Sequence, residues 1–145
     1  MNSIAILGAG TWGIALAKML KNTNKNVTVW SALPDEIEEL SKTSRHPKLP
    51  NVLIPKGIEY TTDIKLAVEN KDIIMFAVPS VFVRQTARKC KDYIKDNQII
   101  VDVAKGIEPD TLFTLTQVID DEIKNKTVKY VALSGPTHAE EVSRD

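Results

Sequence analysis

Residues 4–13 read IAILGAGTWG, an apolar run that stops at three glycines spaced G-x-G-x-x-G. A short apolar run ended by glycine and followed by helical spacing reads as a buried strand turning directly into a helix. At Gly8 the chain must turn tightly, and a β-carbon there would bar conformations that glycine reaches freely. At Gly10 the backbone must come close to a pyrophosphate, and at Gly13 the helix must pack closely on the sheet. The opening helical turn then presents unpaired N–H groups to phosphate, an anion site that needs no basic side chain. Three glycines alone make only a turn. Their place within the first thirty residues of a β-α-β pattern points to a dinucleotide site.

Outward from this turn, short Val- and Ile-rich runs recur at Ser3–Leu7, Asn26–Trp30, Ile58–Tyr60, Asp72–Val78, Gln98–Val103 and Val128–Ser134, and each reads as a strand. Between them Ile14, Leu16, Ala17 and Leu20 form one helical stripe, and Val83, Ala87, Cys90 and Ile94 another. Pro109 and Asp110 mark the expected start of a helix that carries Leu112, Leu115, Val118 and Ile119. Strand alternating with helix implies a parallel α/β sheet covered on both faces, because parallel strands need crossovers and the crossovers supply the helices. Ser44–Gly57 breaks the rhythm with three prolines and no helical period, and reads as an ordered loop.

Composition narrows the partners. The 145 residues fit one domain with a real core, expected to span 1–145. Nineteen Lys and Arg balance nineteen Asp and Glu, which gives no electrostatic footprint for nucleic acid or an anionic membrane. Hydrophobic residues at 43% and charged residues at 26% are those of a soluble globular chain. The single cysteine, Cys90, allows no internal disulfide and suits a reducing compartment. The amino terminus enters a strand with no basic leader, and the longest apolar run, Ile73–Val78, falls far short of the ~20 residues that span a bilayer. A cytoplasmic protein with a small-molecule partner is the expectation.

The second strand of a dinucleotide fold ordinarily ends in an acid that bonds the adenosine ribose of NAD, or lies near an arginine that accommodates the 2′-phosphate of NADP. Here the chain reads VTVWSALPD and places Ser31 at that point. A hydroxyl can bond a ribose hydroxyl or a phosphate, so NAD and NADP both remain open, with discrimination within roughly tenfold, or ~1.4 kcal/mol. Asp35 and Glu36 are alternatives, although after Pro34 they are also ordinary first-turn helix charges.

Taken together, GAGTWGIALA (8–17), LPNVLIP (49–55), FAVPS (76–80), KGIE (105–108) and SGPTHAEEV (134–142) resemble the bacterial NAD(P)-dependent glycerol-3-phosphate dehydrogenases along the whole chain. The resemblance implies a Rossmann-type, doubly wound sheet of about six strands. It implies reversible hydride transfer between a nicotinamide cofactor, NAD or NADP, and dihydroxyacetone phosphate or sn-glycerol 3-phosphate, the backbone of phospholipids. It puts Thr11 and Trp12 at the pyrophosphate turn beside Gly8, Gly10 and Gly13, and the Ser31 neighbourhood at the adenosine ribose. It puts Lys105 at both cofactor and substrate, Gly135 and Thr137 at the substrate, and Ala139 against the cofactor. Many relatives carry Arg or His just after the tryptophan of the second strand; Ser31-Ala32-Leu33 departs from that pattern. The positions agree with the physical reading, since Lys105 and Gly135 follow the fifth and sixth strands, where ligands of open parallel sheets collect.

The resemblance also implies a helical carboxyl-terminal domain, absent from these residues, that carries the general acid/base lysine and the groups holding the substrate phosphate. This chain is then the cofactor-binding half, with no catalytic acid or base of its own, and a homodimer is admitted as a partner. A related β-hydroxyacid dehydrogenase and a non-catalytic NAD-sensing module are the alternatives; KGIE with SGPTHAEEV speaks against the first, Lys105 against the second. His46 and His138 have no metal-ligand spacing, and His138 reads as a bystander of the substrate loop. Cys90 reads as a buried structural thiol. Arg84, Arg88, Lys91 and Lys95 read as a solvated helix face.

Overall fold

The computed structural model describes residues 2–124, 127–135 and 138–144. Six parallel strands, β1 (Ser3–Leu7), β2 (Asn26–Trp30), β3 (Glu59–Thr61), β4 (Ile73–Phe76), β5 (Ile99–Asp102) and β6 (Lys129–Ala132), form one sheet in the order β3-β2-β1-β4-β5-β6. The crossovers hold α1 (Thr11–Asn22), α2 (Pro34–Thr43), α3 (Ile64–Val68), α4 (Val83–Cys90) and α5 (Leu115–Ile123), and α6 (Ala139–Val142) follows β6. This is the doubly wound architecture expected from the alternation.

Strand side chains alternate between two cores because successive residues of a pleated strand point to opposite faces. In β1, Ile4 and Ile6 pack with Ile14, Leu16 and Ala17 of α1 and Leu40 of α2. Ala5 and Leu7 face the other way, against Ala67 of α3, Val83, Ala87 and Cys90 of α4, and Val118 and Ile119 of α5. Both faces of the central strands are dry, so they read as continuous apolar runs.

The proline-rich stretch after α2 is ordered for the same reason. Leu49, Val52 and Ile54 close the first core, and the Ile54 N–H donates to the carbonyl of Ser44 at 3.0 Å. Several boundaries differ from the sequence reading: β4, β5 and β6 each begin one residue later and end one or two residues earlier than the runs read as strands. The third strand runs one residue later, Glu59–Thr61. The helix expected from Pro109 begins at Leu115, where Thr114 accepts from the Gln117 N–H and the Gln117 side chain accepts from the Thr114 N–H. That reciprocal cap satisfies two orphan donors at once, whereas Leu112 stands exposed at φ 59°, outside any helix. At the far edge Val131 of β6 and Leu133, just beyond the strand, are exposed. Among the described residues, no helix is long and apolar enough to cross a membrane.

Candidate functional site

The connection from β1 runs toward β2 and that from β4 toward β5, so the winding reverses between two adjacent strands. A crevice must open there beyond the carboxyl ends, and the glycine turn lies in it. Gly8 has φ +127°, and a β-carbon on it would lie 2.7 Å from the backbone carbonyl of Ala77. A β-carbon on Gly13 would lie 2.2 Å from the Gly8 carbonyl oxygen. These two glycines let β1, β4 and α1 converge. Gly10 does the opposite: its backbone is ordinary, at φ −73° and ψ −176°, and an added β-carbon would meet nothing within 4 Å. The space over Gly10 is open to a ligand.

Gly10 caps α1 without a side-chain hydrogen bond, and the first intrahelical bond runs from the Ile14 N–H to the Gly10 carbonyl at 3.0 Å. The N–H groups of Thr11, Trp12 and Gly13 are therefore free of helical partners. With no acid in that first turn, they make an anion site of backbone alone.

Two clefts flank this point. One, of about 360 Å³, runs from Gly8 and Gly10 to Trp30, Ser31 and Glu36 at the end of β2. The other, of about 400 Å³, is lined by Gly10, Thr11, Trp12, Lys105, His138 and Ala139. Both are of ligand size. The cradle over Gly10 joins them, a shape that fits the two halves of a dinucleotide with its pyrophosphate between. Of the residues singled out from sequence, Gly13 lies beneath the turn, Gly135 lies exposed after β6 outside the lining, and Thr137 lies outside the described residues.

Ser31 is engaged rather than available. It is 4% exposed; its hydroxyl accepts from the Leu33 N–H at 3.1 Å and donates to Glu36 Oε2 at 2.5 Å. His46 is also part of the site, which its isolation in sequence concealed. Buried at 7% exposure, it bonds the carbonyl of Ala9 through Nε2 at 3.1 Å and accepts the Lys48 N–H at Nδ1 at 3.1 Å.

The loop that carries Lys105 is fastened from outside. Arg84 binds Glu108 through two parallel bonds of 2.7 and 2.8 Å, and its Nη1 reaches Asp121 at 2.7 Å and Glu122 at 2.9 Å. Arg88 adds a 2.9 Å bond to Glu122. Arg84, 24% exposed, thus departs from the solvated face expected from its spacing and joins α4 to α5 and to the KGIE segment, whereas Arg88 keeps to that face at 64% exposure while it bonds Glu122. The guanidinium of Arg84 and then the Thr111 hydroxyl hold the Glu108 carboxyl down to about 2. At the end of β5, burial pushes the Asp102 carboxyl up to about 6, against the opposing N–H of Ala104 that donates to it at 3.0 Å. Burial pushes the Cys90 thiol up to about 12, so it is the inert core group expected. Among the described residues no group of three or more His, Cys, Asp or Glu could hold a metal ion.

The chain is 60% identical over its whole length to glycerol-3-phosphate dehydrogenase (NAD(P)+) 2 of Lactobacillus delbrueckii subsp. bulgaricus, and covers 44% of that protein. It is 50% identical to glycerol-3-phosphate dehydrogenase (NAD(P)+) of Fusobacterium nucleatum over 99% of the chain and 43% of the relative. Among solved structures, glycerol-3-phosphate dehydrogenase from Coxiella burnetii superposes on 97% of the chain with a TM-score of 0.89 at 31% identity, and the chain covers 43% of it. The chain thus spans less than half the length of these relatives. Residues 3–145 match the family described as NAD-dependent glycerol-3-phosphate dehydrogenase N-terminus, and with the open cradle over Gly10 beside Lys105, the chain belongs to that family.

Proposed function

We propose that this chain is the cofactor-binding part of an enzyme that interconverts dihydroxyacetone phosphate and sn-glycerol 3-phosphate with NAD(P)(H), supplying glycerophospholipid synthesis. One observation carries the reading: the phosphate cradle at Gly10 and the ammonium-bearing Lys105 line the same cleft at the switch point of the sheet. The bound nicotinamide supplies or accepts the hydride. Gly8, Gly10 and Gly13 with the N–H groups of Thr11 and Trp12 hold the pyrophosphate, and the Ser31 neighbourhood meets the adenosine ribose. Ala139, buried in the cleft wall, lies against the cofactor and keeps water from it. Lys105, with Gly135 and Thr137, meets the substrate, where a fixed positive charge stabilises the charge developing on the carbonyl oxygen.

The general acid/base lysine and the groups for the substrate phosphate belong, in this reading, to a helical domain beyond residue 145. The exposed Val131 of β6 and Leu133 just after it offer apolar surface for that domain or for a second copy in a homodimer. A cytoplasmic location suits the soluble substrate.

The test has two arms. Calorimetric titration should show this chain binding NADH, while NADH oxidation with dihydroxyacetone phosphate stays more than a hundredfold below that of the full-length enzyme. In the full-length enzyme, Lys105→Ala should lower kcat/KM for dihydroxyacetone phosphate about a hundredfold, on the order of 3 kcal/mol, with the fold intact. Unaltered kinetics would return Lys105 to the role of a solvated loop residue.

A further inference from the structure

We propose that Glu36, fixed by Ser31, is the residue that reads the adenosine ribose and makes this chain select NADH over NADPH. The inference rests on the cofactor reading above and deepens it.

A serine hydroxyl has one hydrogen to donate. In Ser31 that hydrogen goes to Glu36 Oε2, and the oxygen already accepts from the Leu33 N–H. The Ser31 backbone N–H is taken as well, by the Thr61 carbonyl at 3.2 Å. Ser31 therefore has no donor left for a 2′-phosphate, which accepts only. Its function is to pin a carboxylate at the end of β2, where the acid of an NAD site ordinarily stands. Glu36 enters from the first turn of α2 and lines the cleft that holds Trp30 and Ser31. Its other oxygen accepts no hydrogen bond from a described residue, so the carboxylate retains an acceptor for the hydroxyls of an unmodified ribose.

A 2′-phosphate would meet the wrong charge here. Glu36 also lines the adjoining recess next to Asp35 and Glu39, three carboxylates against one lysine, Lys48. In the cleft itself the lining cation is Lys89, whose ammonium lies 5.7 Å from the centre of the Trp30 ring. Like charges brought together in this way are a means of rejection as well as recognition.

The experiment measures dissociation constants of NADH and NADPH for the chain, for Glu36→Gln and for Lys89→Ala, with circular dichroism to confirm folding. The wild-type chain should bind NADH more than about tenfold tighter than NADPH. Glu36→Gln, which keeps the bond to Ser31 and removes the charge, should bring the two affinities to within a few-fold, mainly by improving NADPH. Lys89→Ala should leave the preference for NADH in place. Equal or tighter binding of NADPH by the wild-type chain, or an unchanged ratio in Glu36→Gln, overturns the proposal while the cofactor reading stands; a NADPH preference that Lys89→Ala abolishes would assign the reading to Lys89. Binding of neither nucleotide by a folded chain overturns both.

Discussion

The imidazole of His46 donates through Nε2 to the carbonyl of Ala9, the residue between the first two glycines of the turn, 3.1 Å away in a buried position. The Lys48 N–H donates to Nδ1, which fixes the proton on Nε2. The loop after α2 thereby braces the peptide that precedes the open face of Gly10.

His46→Ala would strip a buried carbonyl of its partner and leave a gap in the loop. Loss of one such bond costs about 1–3 kcal/mol, and a lowered melting temperature should accompany weaker NADH binding. His46→Gln, which can still donate to Ala9, should recover much of both. A variant His46→Ala with native NADH affinity would show that the brace serves only the loop.

The glycines of the turn should separate in their effects. Gly10→Val adds its side chain to open space from an ordinary backbone conformation, so the melting temperature should hold while NADH titration gives no heat. Gly13→Ala forces a β-carbon against the Gly8 carbonyl and should cost about 3 kcal/mol or more in urea unfolding.

Asp102 gives a pH dependence with a definite sign. Burial raises its carboxyl to about 6 from an ordinary 3.8, so the folded chain holds the proton more tightly than the unfolded one. Ionised Asp102 therefore costs stability; the cost grows as pH rises from about 4 to about 6 and is complete above that. Asp102→Asn, which keeps an acceptor for the Ala104 N–H, should stabilise the chain at pH 7 by ~1–3 kcal/mol and lose that advantage by pH 4. Urea unfolding at the two pH values checks it; an equal gain at both would mean that the charge is not the cause.

What the sequence by itself determined were features written in neighbouring residues. The strand-to-helix turn at Gly8–Gly13, the order of strands and helices, the dual burial of β1 and β4 and the inert Cys90 follow from spacing and apolar runs, because a turn or an amphipathic stripe is complete within a dozen residues. The cap at Thr114 was equally local, a T-x-x-Q pattern overshadowed by the proline five residues earlier. What only the tertiary structure decided were the partnerships between distant residues. Arg84 looks like a solvent-facing charge until α5 brings Asp121 and Glu122 opposite it. His46 lies 37 residues from the carbonyl it braces. Ser31 and Glu36 are near in sequence, yet a hydroxyl beside an acid has several partners open to it. The turn from β2 into α2 and the packing over it bring the two together, and a hydroxyl that can donate only once is then committed to that carboxylate.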